Sequence, residues 1–175
     1  MPCRNWPETP LTAADREKKK VNYVVSHSFS SLENLPEITL LEQQSFTSPW
    51  NRESLESELS NPLNLITVIR SSSEAEITGY SLTRILPPEA ELLRIAVRPQ
   101  ARGVGVGSVL LNELLQKLFS LKIIQLYLEV SEKNRPAISL YQKIGFTVTG
   151  HRPGYYDNGS TGAITFSLAI NFGQT

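Results

Sequence analysis

Between Val21 and Ile170 the hydrophobic positions switch repeatedly between a spacing of two and a spacing near 3.6, the signatures of strands and of helices. "VNYVVSHSF" predicts a strand. "LENLPEITLLEQQSF" carries Leu32, Leu35, Ile38, Leu40 and Leu41 at helical spacing, with Pro36 in the first turn. "SPWNRESLESELSNP" predicts a turn and a short helix closed by Asn61-Pro62. "LNLITVIR" and "EITGYSLTRILPP" read as strands around the polar turn "SSSEAE", and "EAELLRIAV" as a largely apolar, central strand. A glycine-rich turn then opens a helix running to about Leu121. "KIIQLYLEV" predicts a buried strand, and "RPAISLYQKIGF" a helix with Pro136 in its first turn and Gly145 at its end. "TVTGHRPGYY" and "AITFSLAI" close the chain as strands around "DNGSTG". The order β-α-α-β-β-β-α-β-α-β-β implies an α/β domain, one mixed sheet with helices on both faces.

Length adds that 175 residues suit one domain with a full core. Residues 1–20 are polar, contain three prolines and end in Lys18, Lys19 and Lys20, so a flexible tail precedes a domain spanning 21–175. The lysine cluster reads as a solvated charge run. A net charge of zero gives no whole-molecule argument for nucleic acid or a membrane surface. No apolar run is long enough to span a bilayer, and the first twenty residues lack a secretory pattern. One cysteine, Cys3, forms no internal disulfide. A cytoplasmic protein is expected. His27 and His151 are far apart and lack metal-ligand spacing, so no metal is expected.

The chemistry concentrates in "RPQARGVGVGS", residues 98–108. Glycines feeding a helix start suit an anion, usually phosphate. A Walker loop needs a lysine directly after its glycines, and none follows until Lys117. A dinucleotide turn sits directly after its strand, whereas five residues separate Val97 from Gly103. R-x-x-G-x-G, from Arg102 through Gly105 to Gly107, remains. It lets the backbone N–H groups of Gly103, Val104, Gly105, Val106, Gly107 and Ser108 converge on a pyrophosphate, with the Arg102 charge beside them.

"IAVRPQARGVGVGSVLL" resembles the acetyl-CoA motif of the GCN5-related N-acetyltransferase family, and the likeness runs from about Leu32 to Ile170. The resemblance implies a twisted, mostly antiparallel sheet of about seven strands. It implies that the strands at 91–97 and 123–130 splay apart around the pantetheine arm of acetyl-CoA. Backbone groups of Ile95, Ala96 and Val97 would pair with that arm, and Asn134 would hydrogen-bond it. Acetyl transfer needs a proton acceptor for the amine and a donor at the sulfur. "LYLEV", then Asn134, then "AISLYQKIGF" resembles the subgroup that acetylates protein N-termini. That resemblance makes Glu129 the base and Tyr141 the acid. It also implies that Trp50, in "SFTSPW", and Tyr155 and Tyr156, in "HRPGYYDNG", line the acceptor site. The expected partner is a protein N-terminus, on a basic ribosomal protein, with no direct contact to nucleic acid.

An α-amine suits a carboxylate base. Its reference pKa is near 8, against about 10.4 for lysine. The helix pair from Leu32 to Asn61 carries six glutamates against Arg52 alone, a surface that favours a basic partner. Three features depart from the family pattern. No acid stands shortly before the last strand, in "GSTGAI"; Arg94 stands where asparagine is common; and the basic tail has no counterpart. A small-molecule or lysine amine is the alternative acceptor. A non-catalytic acyl-CoA-binding module is the alternative of another class, and it would need neither Glu129 nor Tyr141.

Overall fold

A computed structural model describes residues 23–72, 76–156 and 159–170. The segment 1–20, expected as a tail, lies outside the described residues. The strands are β1 (Tyr23–Phe29), β2 (Asn64–Ser71), β3 (Ile77–Leu86), β4 (Glu89–Val97), β5 (Gln125–Ser131), β6 (Thr147–Tyr156) and β7 (Thr161–Ala169). The helices are α1 (Leu35–Ser45), α2 (Arg52–Ser60), α3 (Val106–Ser120) and α4 (Arg135–Ile144), with a short 3-10 turn at Pro99–Ala101. Their order is the predicted one.

All seven strands form one sheet in the order β1-β2-β3-β4-β5-β7-β6. Every neighbouring pair is antiparallel except β4 and β5. Helices α1 and α2 cover one face through Leu35, Ile38, Leu41, Leu55 and Leu59, packed on Ile66, Val68, Tyr80 and Leu82. Helices α3 and α4 cover the other. Leu110, Leu111, Leu114, Leu115 and Leu118 of α3 fall on one helical stripe and are all buried, each contributing about 1.5–3 kcal/mol by its burial. Covered on both sides, β2 and β3 are almost wholly buried.

The first helix starts later than its apolar pattern suggests. Pro36 fits only the first turn, so α1 begins at Leu35. Counting from there, Leu35, Ile38, Leu41 and Glu42 face inward. Leu32 and Leu40 remain 42% and 51% exposed. Helix α1 is tied to the sheet by Arg70 of β2, whose guanidinium donates to Glu37 at 2.9 and 2.8 Å. The same carboxylate accepts the Ile77 N–H at 2.9 Å.

The Arg70 hydrogen bond, foremost, holds the Glu37 carboxyl below its ordinary value. The stability this adds is present above the unfolded carboxylate value of about 4.3 and is lost as pH falls through the lower folded value. Melting curves of the native chain and Glu37→Gln are therefore expected to differ at pH 6 and to converge on acidification below about pH 4. A constant gap across that range would contradict this linkage.

Strands β4 and β5 pair over only four positions, from Glu89↔Gln125 to Leu92↔Leu128. Beyond them β4 follows β3 and β5 follows β7, so the sheet opens into a wedge. The predicted splay is present, and it begins after Leu92 and Leu128. A register shift in the β3–β4 pairing lies between Leu82 and Thr83, where Leu82 faces Arg94 and Thr83 faces Leu92. Leu93 is the extra residue. Such a bulge bends its strand, and here it coincides with the point at which β4 leaves β5.

Candidate active site

One wall of the wedge is the turn from β4 into α3. Gly103 and Gly105 take left-handed conformations, with φ of 77° and 96°, which other residues reach only with strain. Helix α3 has no side-chain cap at Gly105. The N–H groups of Gly103 to Gly107 have no hydrogen-bond partner among the described residues. That of Ser108 closes onto the Gly105 carbonyl at 3.0 Å. Five neighbouring, uncommitted N–H groups at a helix start suit a pyrophosphate. Gly107 is close-packed instead: a Cβ there would lie 3.2 Å from Leu140. Arg102 is exposed, and its Nε donates to the Val97 carbonyl at 2.9 Å. The open end of β4, with Ile95, Ala96 and Val97, adjoins this turn. Asn134 stands at the start of α4, and its side-chain oxygen accepts the Ala137 N–H at 3.2 Å. The amide NH2 of Asn134 is left to face other partners.

Glu129 is the first residue of β5 past the last β4 pair. Leu128 and Val130 on either side point into the core under α3 and α4, so Glu129 faces the opposite side of the sheet. Its carboxylate accepts from Arg152 of β6 at 2.7 Å. The Arg152 guanidinium also lies over the Tyr155 ring, 4.3 Å from its centroid. Tyr155 and Tyr156 meet edge to face at 5.0 Å.

Tyr141 approaches from α4, on the other face. It is 4% exposed and packs on Phe146 and Phe166. Burial, and secondly Tyr156, push its phenol far above the ordinary tyrosine value. Burial is also the main cause of the rise at Tyr156, with Glu129 and Tyr155 adding to it and Arg94 and Arg152 opposing. Tyr156 is thus within electrostatic reach of both Glu129 and Tyr141.

Trp50 belongs to the turn between α1 and α2. It lies 4.6 Å from the Arg94 guanidinium, which also covers Phe46 at 4.1 Å. Arg94 pairs with Glu42 at 3.1 Å. Glu42 is fully buried and accepts from the Tyr80 hydroxyl and from the Trp50 N–H at 3.0 Å. Neither Glu42 nor Arg152 is among the site residues that the sequence predicts. A signal existed for Glu42: it lies four residues after Ile38 and seven after Leu35, on the buried stripe. The acidic helix pair is also less bare than its composition suggests. Glu37, Glu42 and Glu58 pair with Arg70, Arg94 and Arg84 from the sheet.

An uncommitted cradle of N–H groups beside an opened parallel strand pair suits an anionic ligand that continues into an extended arm. The sequence profile of the acetyltransferase (GNAT) family matches residues 35–146, and the chain belongs to that family, whose acyl donor is acetyl-CoA. It is 30% identical to the [ribosomal protein bS18]-alanine N-acetyltransferase of Escherichia coli K12, over 83% of this chain and 99% of that one. It is 33% identical to the Haemophilus influenzae enzyme of the same name, over 70% and 81%. The crystal structure of the ribosomal-protein-S18-alanine N-acetyltransferase from Escherichia coli superposes with a TM-score of 0.77 at 27% identity, covering 86% of this chain and 97% of that one. Among the described residues there is no group of three or more potential metal ligands, and no helix long and apolar enough to cross a membrane.

Proposed function

We propose that this protein transfers an acetyl group directly from acetyl-CoA to the N-terminal amine of a protein, and that its acceptor is the N-terminal alanine of ribosomal protein bS18. Similarity to the Escherichia coli enzyme over 99% of its length, and to the Haemophilus influenzae enzyme over 81%, supports the acceptor. An acceptor on the ribosome puts the reaction in the cytoplasm.

The observation that carries the chemistry is the position of Glu129, the first residue of β5 past its last pair with β4 and so at the wedge mouth. Acetyl-CoA supplies the activated thioester. In this reading the N–H groups of Gly103 to Gly107 and the Arg102 charge hold its pyrophosphate. The open edge of β4 at Ile95 to Val97 and the Asn134 amide hold its arm. Trp50, Tyr155 and Tyr156 flank the acceptor. An arriving α-ammonium competes with Arg152 for Glu129, and the carboxylate, directly or through a water, accepts the proton that the amine must lose. Tyr141 keeps its proton throughout the neutral range because its phenol is raised. The thiolate of a thiol with pKa near 8.5 is a weaker base than such a phenolate. Tyr141 therefore stabilises the departing sulfur by donating a hydrogen bond, without complete proton transfer.

Mass spectrometry of a peptide panel tests the assignment. Incubated with acetyl-CoA, peptides with free N-terminal Ala are expected to gain one acetyl group. Versions with a blocked N-terminus and an internal lysine should gain none. Acetylation of the lysine instead, or of no peptide, would remove the N-terminal reading.

A further inference from the structure

Arg94 stands on the open part of β4, where the bulge at Leu93 turns two successive side chains toward the α1–α2 face. Leu93 packs with the cluster beneath those helices, and Arg94 lies beside it against Phe46 and Trp50. One guanidinium NH2 bonds both Glu42, at 3.1 Å, and the Ser48 carbonyl, at 3.3 Å. Its Nε is buried and has no partner among the described residues. Glu42 in turn accepts the Trp50 N–H. The turn from Phe46 to Trp50 is therefore held by two rings stacked on one cation, a carbonyl bonded to that cation, and a backbone N–H bonded to its counter-ion.

A desolvated ion pair of this kind adds little to stability compared with well-packed apolar residues. A lysine could balance Glu42, but it lacks the flat fork that stacks on two rings and reaches a carbonyl together. The geometry is more specific than neutralisation requires. Arg94 and Glu129 project from the opened ends of β4 and β5 on the same face of the sheet, the one covered by α1 and α2, and Glu129 is paired there with Arg152 of β6. The Trp50 turn and the β6–β7 hairpin thus form the two sides of the approach to Glu129, and Arg94 anchors the first of them.

We infer that Arg94 is a positioning residue for the acceptor: it draws the Phe46–Trp50 turn onto the opened end of β4 and fixes the Trp50 ring as a wall of the amine's approach. The inference rests on the proposed N-terminal acceptor, which enters by this face.

The test uses full-length chains carrying Trp6→Phe, so that Trp50 is the only indole. Arg94→Lys preserves a charge for Glu42. Arg94→Met combined with Glu42→Gln removes both charges, so that neither is left buried alone, and remains informative if a single neutral variant does not fold. In both, acrylamide quenching of Trp50 is expected to rise about threefold. The KM for an Ala-starting peptide should rise about tenfold, with kcat within about threefold and the KM for acetyl-CoA unchanged. The neutral pair is expected to melt near the parent chain. Unchanged quenching, or raised quenching with an unchanged peptide KM, overturns the inference. So does a neutral pair that restores the peptide KM, since Arg94 would then be a counter-ion alone. If the parent chain acetylates no N-terminal peptide, the proposed function fails, and the quenching result by itself decides whether Arg94 holds the Trp50 turn.

Discussion

Glu129→Gln is expected to lower kcat on an Ala-starting peptide by about 10²–10⁴, the usual contribution of a positioned general base. The substitution keeps the shape and hydrogen-bonding capacity of the side chain and removes its basicity. Acetyl-CoA affinity should not change, because the glycine turn and the edge of β4, which are proposed to hold the donor, lie on other elements. Loss of the base also changes the pH profile. Only amine that is already neutral can react, so the variant's rate should rise close to tenfold per pH unit until the amine's own pKa, near 8. Steady-state kinetics from pH 6 to 9, with calorimetric titration of acetyl-CoA, checks both statements. Turnover equal to that of the native chain would show that the amine loses its proton elsewhere.

The second large effect is on stability. Glu42→Ala is expected to destabilise the fold by about 3–5 kcal/mol, since it leaves a desolvated cation without its partner. Arg94 loses its counter-ion, and the Tyr80 hydroxyl and the Trp50 N–H lose their acceptor. For a chain of this length the melting temperature should fall by on the order of 10 °C. Glu42→Gln keeps the volume and an acceptor oxygen and should cost less. Thermal denaturation of the two variants beside the native chain measures the difference. A Glu42→Ala protein melting within a degree or two of the native one would mean that the network is already satisfied by water.

Local patterns foretold the elements because each is governed by near neighbours. Val106 to Leu118 is apolar at helical spacing and can only be a buried-face helix. Gly145 adopts φ of 109° and ends α4 where its sequence position suggested. The α1 start shows the converse. Leu32 and Leu40 share the helical spacing, yet Pro36 decides which residues begin the helix, and a shift of a few residues changes which face each one joins. Candidate site residues were legible where a motif spans a short stretch, as in the glycine turn. Nothing around Arg152 within its own strand marks it for a role. Its partner Glu129 lies on another strand 23 residues away, and no local spacing joins them.

By itself the sequence determined the order and type of the elements, the glycine turn with its capacity for a pyrophosphate, and a family likeness that names a donor. These depend on periodicity, on backbone freedom at particular glycines, and on residues close in the chain. Tertiary structure decided where β4 parts from β5, because that follows from a bulge in the pairing with β3. It also decided that Arg152 occupies Glu129 and that Arg94 neutralises a buried Glu42 beneath Trp50. Those contacts join charges up to 52 residues apart, and a charge gains its meaning from what burial sets against it.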